Sequence, residues 1–217
     1  MGDPKADLKA VFAADRAMRE AEANLMETPL PLLAKLLSKA VDEAYEVRSE
    51  REAVLRLERL ADLCAQVPGP KMADALIRIL DHDEPQVRVA AGEAILDVAY
   101  EDYGEGGGAG ERAIDSGTQS RALAELPFVI VEVGEPSAEA LLTRFLQSDA
   151  ANVVAAAIEA STLLLEPGLI GALETPQDDT RVVTLAAAPV HAGPDPPTAA
   201  RRSAPPPPPR EPPLPPL

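Results

Sequence analysis

The residues of this chain best suited to chemistry are a short run of acids around one histidine. Asp81, His82, Asp83 and Glu84 occupy four successive positions, and all three residue types are common metal ligands. A zinc site needs three or four converging ligands, usually nitrogen or sulfur atoms of histidine and cysteine. Such ligands are scarce here, since the whole chain has two histidines and one cysteine. We therefore predict a turn between two helices here, and no metal site.

A glycine-rich stretch and the single cysteine are the other candidates for chemistry. Gly104–Ala109 has the form of a dinucleotide-binding fingerprint, which works only between a strand and a helix, whereas this stretch follows a predicted helix. We predict a flexible loop over residues 104–117 and no cofactor. Cys64 shares an apolar helix face with Leu60 and Ala61, which predicts a buried packing residue. With no catalytic residues in view, we predict that the protein is not an enzyme.

Composition and charge exclude several classes of partner. The formal net charge is −16, which disfavours binding to the anionic backbone of a nucleic acid or to an anionic membrane surface. No stretch reaches the ~18 apolar residues of a membrane span, and the first residues do not resemble a secretion signal. The single cysteine fits a reducing compartment. We predict a cytoplasmic protein whose partner is another protein, basic in charge.

Apolar residues recur at helical spacing through most of the chain. The segment 118–133 is ambiguous because Phe128–Val133 favours a strand by propensity, whereas Ser120–Leu126 favours a helix. We interpret it as a helix because the neighbouring segments require one to pack there. The predicted helices cover about residues 4–27, 32–45, 49–66, 71–81, 84–103, 118–133, 136–147 and 150–165. Leu169–Leu173 and Arg181–Ala188 are typical of the start of another, degraded repeat.

A two-helix pattern occurs twice, with its two copies 66 positions apart. The residues that pair with identical residues at this offset are Leu76, Arg78, Leu80, Asp83, Val87, Ala90, Ala91, Glu93 and Ala94. A helix–turn–helix unit that recurs in this way is typical of a helical solenoid, in which each unit packs on its neighbours. Within the first copy, we predict that Asp83 caps the second helix, since Gln86 follows at capping-box spacing.

The stretch Leu80–Ala94 resembles the HEAT repeat, and in particular the short bacterial HEAT-like repeats found in phycobilisome lyases. The resemblance rests on the motif Asp83-x-Pro85-x-Val87-Arg88-x-Ala90-Ala91. It implies an all-α, right-handed α-solenoid of helix pairs, with the first helix of each pair on the convex side and the second on the concave side. It also implies a ladder of aspartate–arginine pairs between turns, which is interrupted in the second copy because Val154 replaces Arg88.

The second helix of each copy carries polar residues opposite its apolar stripe, and these are the candidate partner-binding residues. They are Gln86, Glu93, Asp97, Tyr100, Glu101 and Glu159. As concave-face residues they would bind a basic partner, although the same pattern fits an ordinary solvated helix face. The leading function is a non-catalytic scaffold for protein–protein interaction. The alternative is a factor of the bilin-lyase kind or another HEAT-domain enzyme, which the 3% of aromatic residues disfavours.

From Pro189 the composition changes abruptly. Residues 189–217 hold 13 of the 23 prolines, which predicts a disordered tail with polyproline II character after a helical domain over residues 1–188. Because the last repeat stops before its second helix, we predict self-association through that uncapped C-terminal repeat. The abrupt change leaves open whether the tail is an evolved segment or a frame-shifted end.

Overall fold

The computed structural model describes residues 3–101, 103–117, 120–133, 136–164 and 167–174. Within these ranges every regular element is a helix and no residue lies in a strand, so the all-α prediction is confirmed for this part of the chain. The α-helices are α1 (Pro4–Met26), α2 (Leu30–Tyr45), α3 (Glu50–Ala65), α4 (Pro70–Leu80), α5 (Pro85–Glu101), α6 (Tyr103–Ser116), α7 (Ser120–Val133), α8 (Pro136–Leu146), α9 (Ala151–Leu164) and α10 (Ile170–Glu174). A short 3-10 helix, Pro167–Leu169, precedes α10.

Proline residues and short polar side chains determine where the helices begin. Asp3 caps α1, because its Oδ1 accepts a hydrogen bond from the backbone N–H of Lys5 at 3.0 Å. Proline suits the first helical position, where its missing N–H would have no partner within the helix. Four helices begin in this way, at Pro4, Pro70, Pro85 and Pro136. These signals are local, and each predicted helix end lies within about two residues of the observed one.

Helices α2 to α9 pack as successive pairs that form two rows. Within each pair the two helices contact each other: α2 with α3, α4 with α5, α6 with α7, and α8 with α9. Between pairs, α2, α4, α6 and α8 contact one another in turn and form the even row, and α3, α5, α7 and α9 form the odd row in the same way. Buried apolar residues of both rows join in one cluster that extends from Leu33 in α2 to Ala157 in α9.

The segment predicted as a flexible loop, residues 104–117, forms helix α6, so that prediction was wrong. Five of the fourteen residues of α6 are glycines, each of which disfavours a helix by about 0.8–1.0 kcal/mol relative to alanine. Tertiary packing overrides this local preference, because α6 contacts α4, α5, α7 and α8. A Cβ added at Gly110 would come 3.2 Å from Leu141 Cδ2, so the missing side chain lets α6 and α8 approach closely.

The ambiguous segment before residue 134 is helix α7, which confirms the helical interpretation. Its β-branched residues do not form a strand because they face the helical core, where Val129 and Ile130 are buried. Pro127 lies inside the helix and is itself buried. The tertiary context therefore decides between the two local preferences of this segment.

Ion pairs connect the helices of the even row. Three of them join an arginine to an aspartate of the preceding helix in the row, and Arg144 also lies 3.8 Å from Glu111 of α6. The pairs are Arg78 with Asp42, Arg112 with Asp74 at 2.8 Å, and Arg144 with Asp115 at 2.5 Å. Arginine thus takes the same role in α4, α6 and α8, and the charges of this row are used in stacking one helix pair on the next.

The turn between α4 and α5 differs from the predicted capping box. Helix α5 begins at Pro85, and the carbonyl oxygen of Glu84 accepts a hydrogen bond from the N–H of Arg88 at 3.3 Å. Glu84 therefore occupies the cap position that was predicted for Asp83. The Asp83 carboxylate instead accepts a hydrogen bond from Arg121 at the start of α7. This aspartate therefore links one helix pair to the next.

Three predictions fall wholly or partly outside the described residues. Leu169–Leu173 lies within the 3-10 helix and α10, whereas Arg181–Ala188 is not described. The predicted tail over residues 189–217 and its boundary with the helical domain are also outside these ranges. The same holds for the C-terminal end of the last repeat, through which self-association was predicted.

Candidate partner-binding site

Five of the predicted site residues lie together on the outward face of α5. Gln86, Glu93, Asp97, Tyr100 and Glu101 are all exposed. With 3.6 residues per turn, they fall within an arc of about 100° around the helix axis. The opposite side of α5 is buried against the core, as predicted. The structure therefore brings these five residues together on one exposed surface.

The sixth predicted residue, Glu159, lies on a different helix. It is exposed on α9, and α7 packs between α9 and α5. Helix α7 contributes Glu132, an exposed acid that the sequence interpretation missed. The Tyr100 hydroxyl donates a hydrogen bond to the backbone carbonyl of Glu132 at 3.1 Å, which ties α5 to α7 at this point.

A signal for Glu132 was present in the sequence. Asp97 and Glu132 are 35 positions apart, and the same interval separates Pro85 and Ser120, the first residues of α5 and α7. The two acids therefore occupy equivalent places in successive repeats. The signal was missed because the interval covers a segment interpreted as a loop.

Five exposed carboxylates of α5, α7 and α9 have no cationic partner among the described residues. They are Glu93, Asp97, Glu101, Glu132 and Glu159, which we call the acidic face. In the part of the chain that the structure describes, none of the five takes part in an ion pair. All five are exposed, so each carboxylate remains hydrated and accessible.

The two arginines of α5 and α7 are engaged elsewhere. Arg88 Nε donates to Glu125 Oε1 at 3.0 Å, and its Nη1 donates to the backbone carbonyls of His82 and Asp83. Arg121 pairs with Asp83 in the turn before α5. Helix α9 has no lysine or arginine. The arginines of α5 and α7 therefore support the packing of the helices and do not compensate the acidic face.

This arrangement suits recognition of lysine and arginine side chains. Carboxylates accept charge-assisted hydrogen bonds from both, and a surface of one sign steers an oppositely charged partner toward it. Val89 and Tyr100 are exposed beside the acids on α5 and add apolar contact area.

The run Asp81–Glu84 is a structural turn. His82 Nδ1 accepts a hydrogen bond from the N–H of Glu84 at 3.0 Å, and the His82 ring lies 5.7 Å from that of Tyr45 in α2. Asp81 Oδ1 accepts from the N–H of Ala122 in α7. Among the described residues, no group of three or more histidine, cysteine or acidic side chains is placed to hold a metal ion. The turn connects three helix pairs, through hydrogen bonds to α7 and through the ring contact with α2.

Cys64 is a core residue, as predicted. It is fully buried in α3 within the main apolar cluster. Burial raises the pKa of its thiol to about 12, so the reactive thiolate is scarce at neutral pH. The residue therefore packs the core rather than acting as a nucleophile.

A groove of about 580 Å³ lies between α4 and α6 on the even row. Ile77, Ala109 and Ala113 line its apolar part. Arg78 and Arg112 also line it, and each pairs with an aspartate of the preceding helix in the row. The sequence interpretation did not anticipate the groove, because one of its walls is the segment interpreted as a loop.

Two further findings concern membrane insertion and similarity to known proteins. Within the described ranges, no helix combines the length and apolarity needed to cross a bilayer. Comparison of the chain with protein-family models, with curated proteins and with solved structures gave no match. The geometry and charge of the helices themselves are therefore what indicates a function.

Proposed function

We propose that this protein is a non-catalytic scaffold of HEAT-like helix pairs that binds a basic protein partner in the cytoplasm. The acidic face is the proposed contact surface, and Gln86 and Tyr100 lie beside it as neutral contacts. The observation that carries the proposal is the contrast between the five acids of this face, which have no ion pair among the described residues, and the arginines of α5 and α7, which are engaged within the fold.

The spacing of the helices supports the α-solenoid part of the proposal, whereas its HEAT-like type and right hand are proposed from the resemblance of Leu80–Ala94. Helices α4, α6 and α8 begin at residues 70, 103 and 136, which are separated by 33 positions in each case. The 66-residue offset of the sequence pattern is therefore twice this interval, with α6 and α7 as the intervening pair. Repeat units of this length, made of two helices, are typical of α-solenoids. In such a solenoid the odd row would line the concave side.

Electrostatics predicts how the proposed complex would behave. Exposed ion pairs contribute chiefly to the association rate and to partner choice, and salt screens them over ~10 Å at 0.1 M. We expect the affinity for the partner to fall as ionic strength rises. The partner should present several lysine or arginine residues on one surface or segment.

The test compares two variants of the full chain that change net charge equally. The first removes three charges of the acidic face: Glu93→Gln, Asp97→Asn and Glu101→Gln. The second removes three exposed acids elsewhere that have no ion pair among the described residues: Glu20→Gln, Glu46→Gln and Glu50→Gln. Both variants should keep the helical circular dichroism spectrum of the natural chain.

Each chain is immobilised and used to capture proteins from a lysate of the source cell, and the affinity of each captured protein is measured by calorimetry. We expect a basic protein whose dissociation constant rises at least tenfold with the first variant and changes less than about threefold with the second. Equal losses with both variants would show that only overall charge matters. An affinity that ignores salt and the first variant would reject the acidic face as the site.

A further inference from the structure

Helix α1 carries an apolar stripe that the packed helices do not cover. Leu8, Val11, Phe12 and Met18 share one face at helical spacing, and their exposed fractions range from 43% to 61%. No residue of this 23-residue helix is buried. A surface helix of a folded protein normally turns such a stripe toward the core.

The contacts of α1 with the other helices come from its C-terminal end. Glu22 pairs with Arg59 of α3, and Leu25 and Met26 pack half-buried against the main apolar cluster. The stripe lies earlier in the helix, beyond these contacts. Because an isolated helix is only marginally stable in water, burial of the stripe against another surface would stabilise α1.

Large apolar residues are exposed on α2 as well, among them Leu30, Leu32 and Leu36. Together with the stripe, they make up seven of the fourteen large apolar residues that are exposed in the described part of the chain. These seven residues lie on two consecutive helices, and such a concentration is typical of an interaction surface.

The charges of α1 indicate what kind of surface would cover the stripe. The helix has four cations and four acids, so its net charge is zero, and the −16 of the chain lies entirely elsewhere. Two of its acids are already neutralised, since Asp15 pairs with Arg19 and Glu22 pairs with Arg59. The partner surface must therefore be apolar and close to neutral. The α1 helix of a second copy has this chemistry, and it is the part of a second copy that repels the first copy least.

We infer that α1 is a dimerisation helix, which packs its stripe antiparallel against α1 of a second copy. Residues 4–12 carry a net charge of +1 and residues 13–26 carry −1, so the antiparallel arrangement places opposite charges together and opposes the two helix dipoles. At 1.5 Å per residue α1 is about 34 Å long. The two acidic bodies then lie at opposite ends of the helix pair, separated by more than the ~10 Å screening length at 0.1 M salt.

Sedimentation equilibrium on the full chain tests the inference. We expect a concentration-dependent dimer that the variant Val11→Glu/Phe12→Glu converts to a monomer. The control Ala13→Glu introduces the same kind of charge on the exposed opposite side of α1, between Lys9 and Arg16, and should leave the dimer intact. Circular dichroism confirms that both variants stay helical.

The salt dependence distinguishes the two surfaces. The dimer buries an apolar stripe and keeps the two acidic bodies farther apart than the screening length, so an increase from about 0.05 M to about 0.5 M sodium chloride should change its dissociation constant by less than about threefold. Binding of a basic partner to the acidic face should weaken over the same range. The two surfaces are therefore distinguishable in one titration, and failure of one proposal does not imply failure of the other.

Three results would overturn the inference. One is a chain that stays monomeric at about a hundred times the concentrations used for the partner titration. Another is a dimer that persists in Val11→Glu/Phe12→Glu. The third is a monomer whose α1 stripe binds vesicles of anionic phospholipid, with binding lost in the same variant, which would assign the helix to a membrane surface.

A spin label at Ala6→Cys tests the orientation. The native Cys64 is fully buried and should not react with the label reagent. In an antiparallel pair the two labels lie near opposite ends of the helices, more than ~20 Å apart at 1.5 Å per residue. In a parallel pair they lie side by side, roughly one interhelical spacing of 8–10 Å apart. A short distance would reject the antiparallel arrangement.

Discussion

The even and odd rows use charged residues in different ways. In the even row Arg78, Arg112 and Arg144 each pair with an aspartate of the preceding helix, so the charges are satisfied within the fold. In the odd row the acids of the acidic face have no ion pair within the described part of the chain. The difference separates charges that hold repeats together from charges that are available to a partner.

The same contrast appears within a single helix. On α5, the Arg88 side chain is 20% exposed and its partner Glu125 is 21% exposed, whereas Glu93 faces solvent without a cation. If the distinction between the two kinds of charge is correct, substitution of Arg88 should destabilise the protein much more than substitution of Glu93, although each substitution removes a single charge.

The largest expected effect is that of Arg88→Ala. The variant leaves the Glu125 carboxylate unpaired in a half-buried place and removes donors from the His82 and Asp83 carbonyls. We expect a loss of about 2 kcal/mol in the free energy of unfolding, measured by urea titration. The matched control Glu93→Gln should change it by less than about 0.5 kcal/mol. Similar losses for both would contradict the distinction drawn within α5.

The second effect concerns the glycines of α6. A side chain at Gly110 would crowd Leu141, so Gly110→Val should destabilise the protein by about 2 kcal/mol. At Gly108 an added Cβ meets only the end of the Arg112 side chain, which can move. Gly108→Ala should therefore stabilise the helix by up to about 1 kcal/mol, and Gly108→Val is the control of matched size. Stabilisation by both valines would show that close packing does not require glycine in α6.

The predictability of the individual helices also differs, for physical reasons. Most helices were predicted because proline starts and 3–4 spacing of apolar residues are local signals. Helix α6 was missed because its glycines suit a loop by local propensity, and only contacts with four neighbouring helices make it helical. Helix α7 was identified only because its repeat context overrode the β-propensity of Phe128–Val133.

The candidate site was predicted in part. The α5 residues of the site could be predicted because they lie opposite the apolar stripe of an amphipathic helix, and the sequence pattern shows that stripe. Glu132 and the groove between α4 and α6 depend on recognising α6 and α7 as a repeat. The pairing of Arg88 with Glu125 depends on which helices become neighbours, so no pattern within α5 shows that Arg88 is engaged while Glu93 is free.

The smallest effect is expected where a pair of the even row is broken. Arg112 donates to Asp74 Oδ1 at 2.8 Å, but the two side chains are 43% and 50% exposed. Water and salt screen such a pair, so Arg112→Met should lower the free energy of unfolding by less than about 1 kcal/mol.

A double-mutant cycle with Asp74→Asn isolates the pair from the packing of the arginine stem. The coupling energy should vanish at about 1 M salt, whereas the loss in Arg88→Ala should persist there because that pair is half-buried. A salt-resistant coupling for Arg112 would show that the even row depends on its ion pairs as strongly as the odd row depends on Arg88.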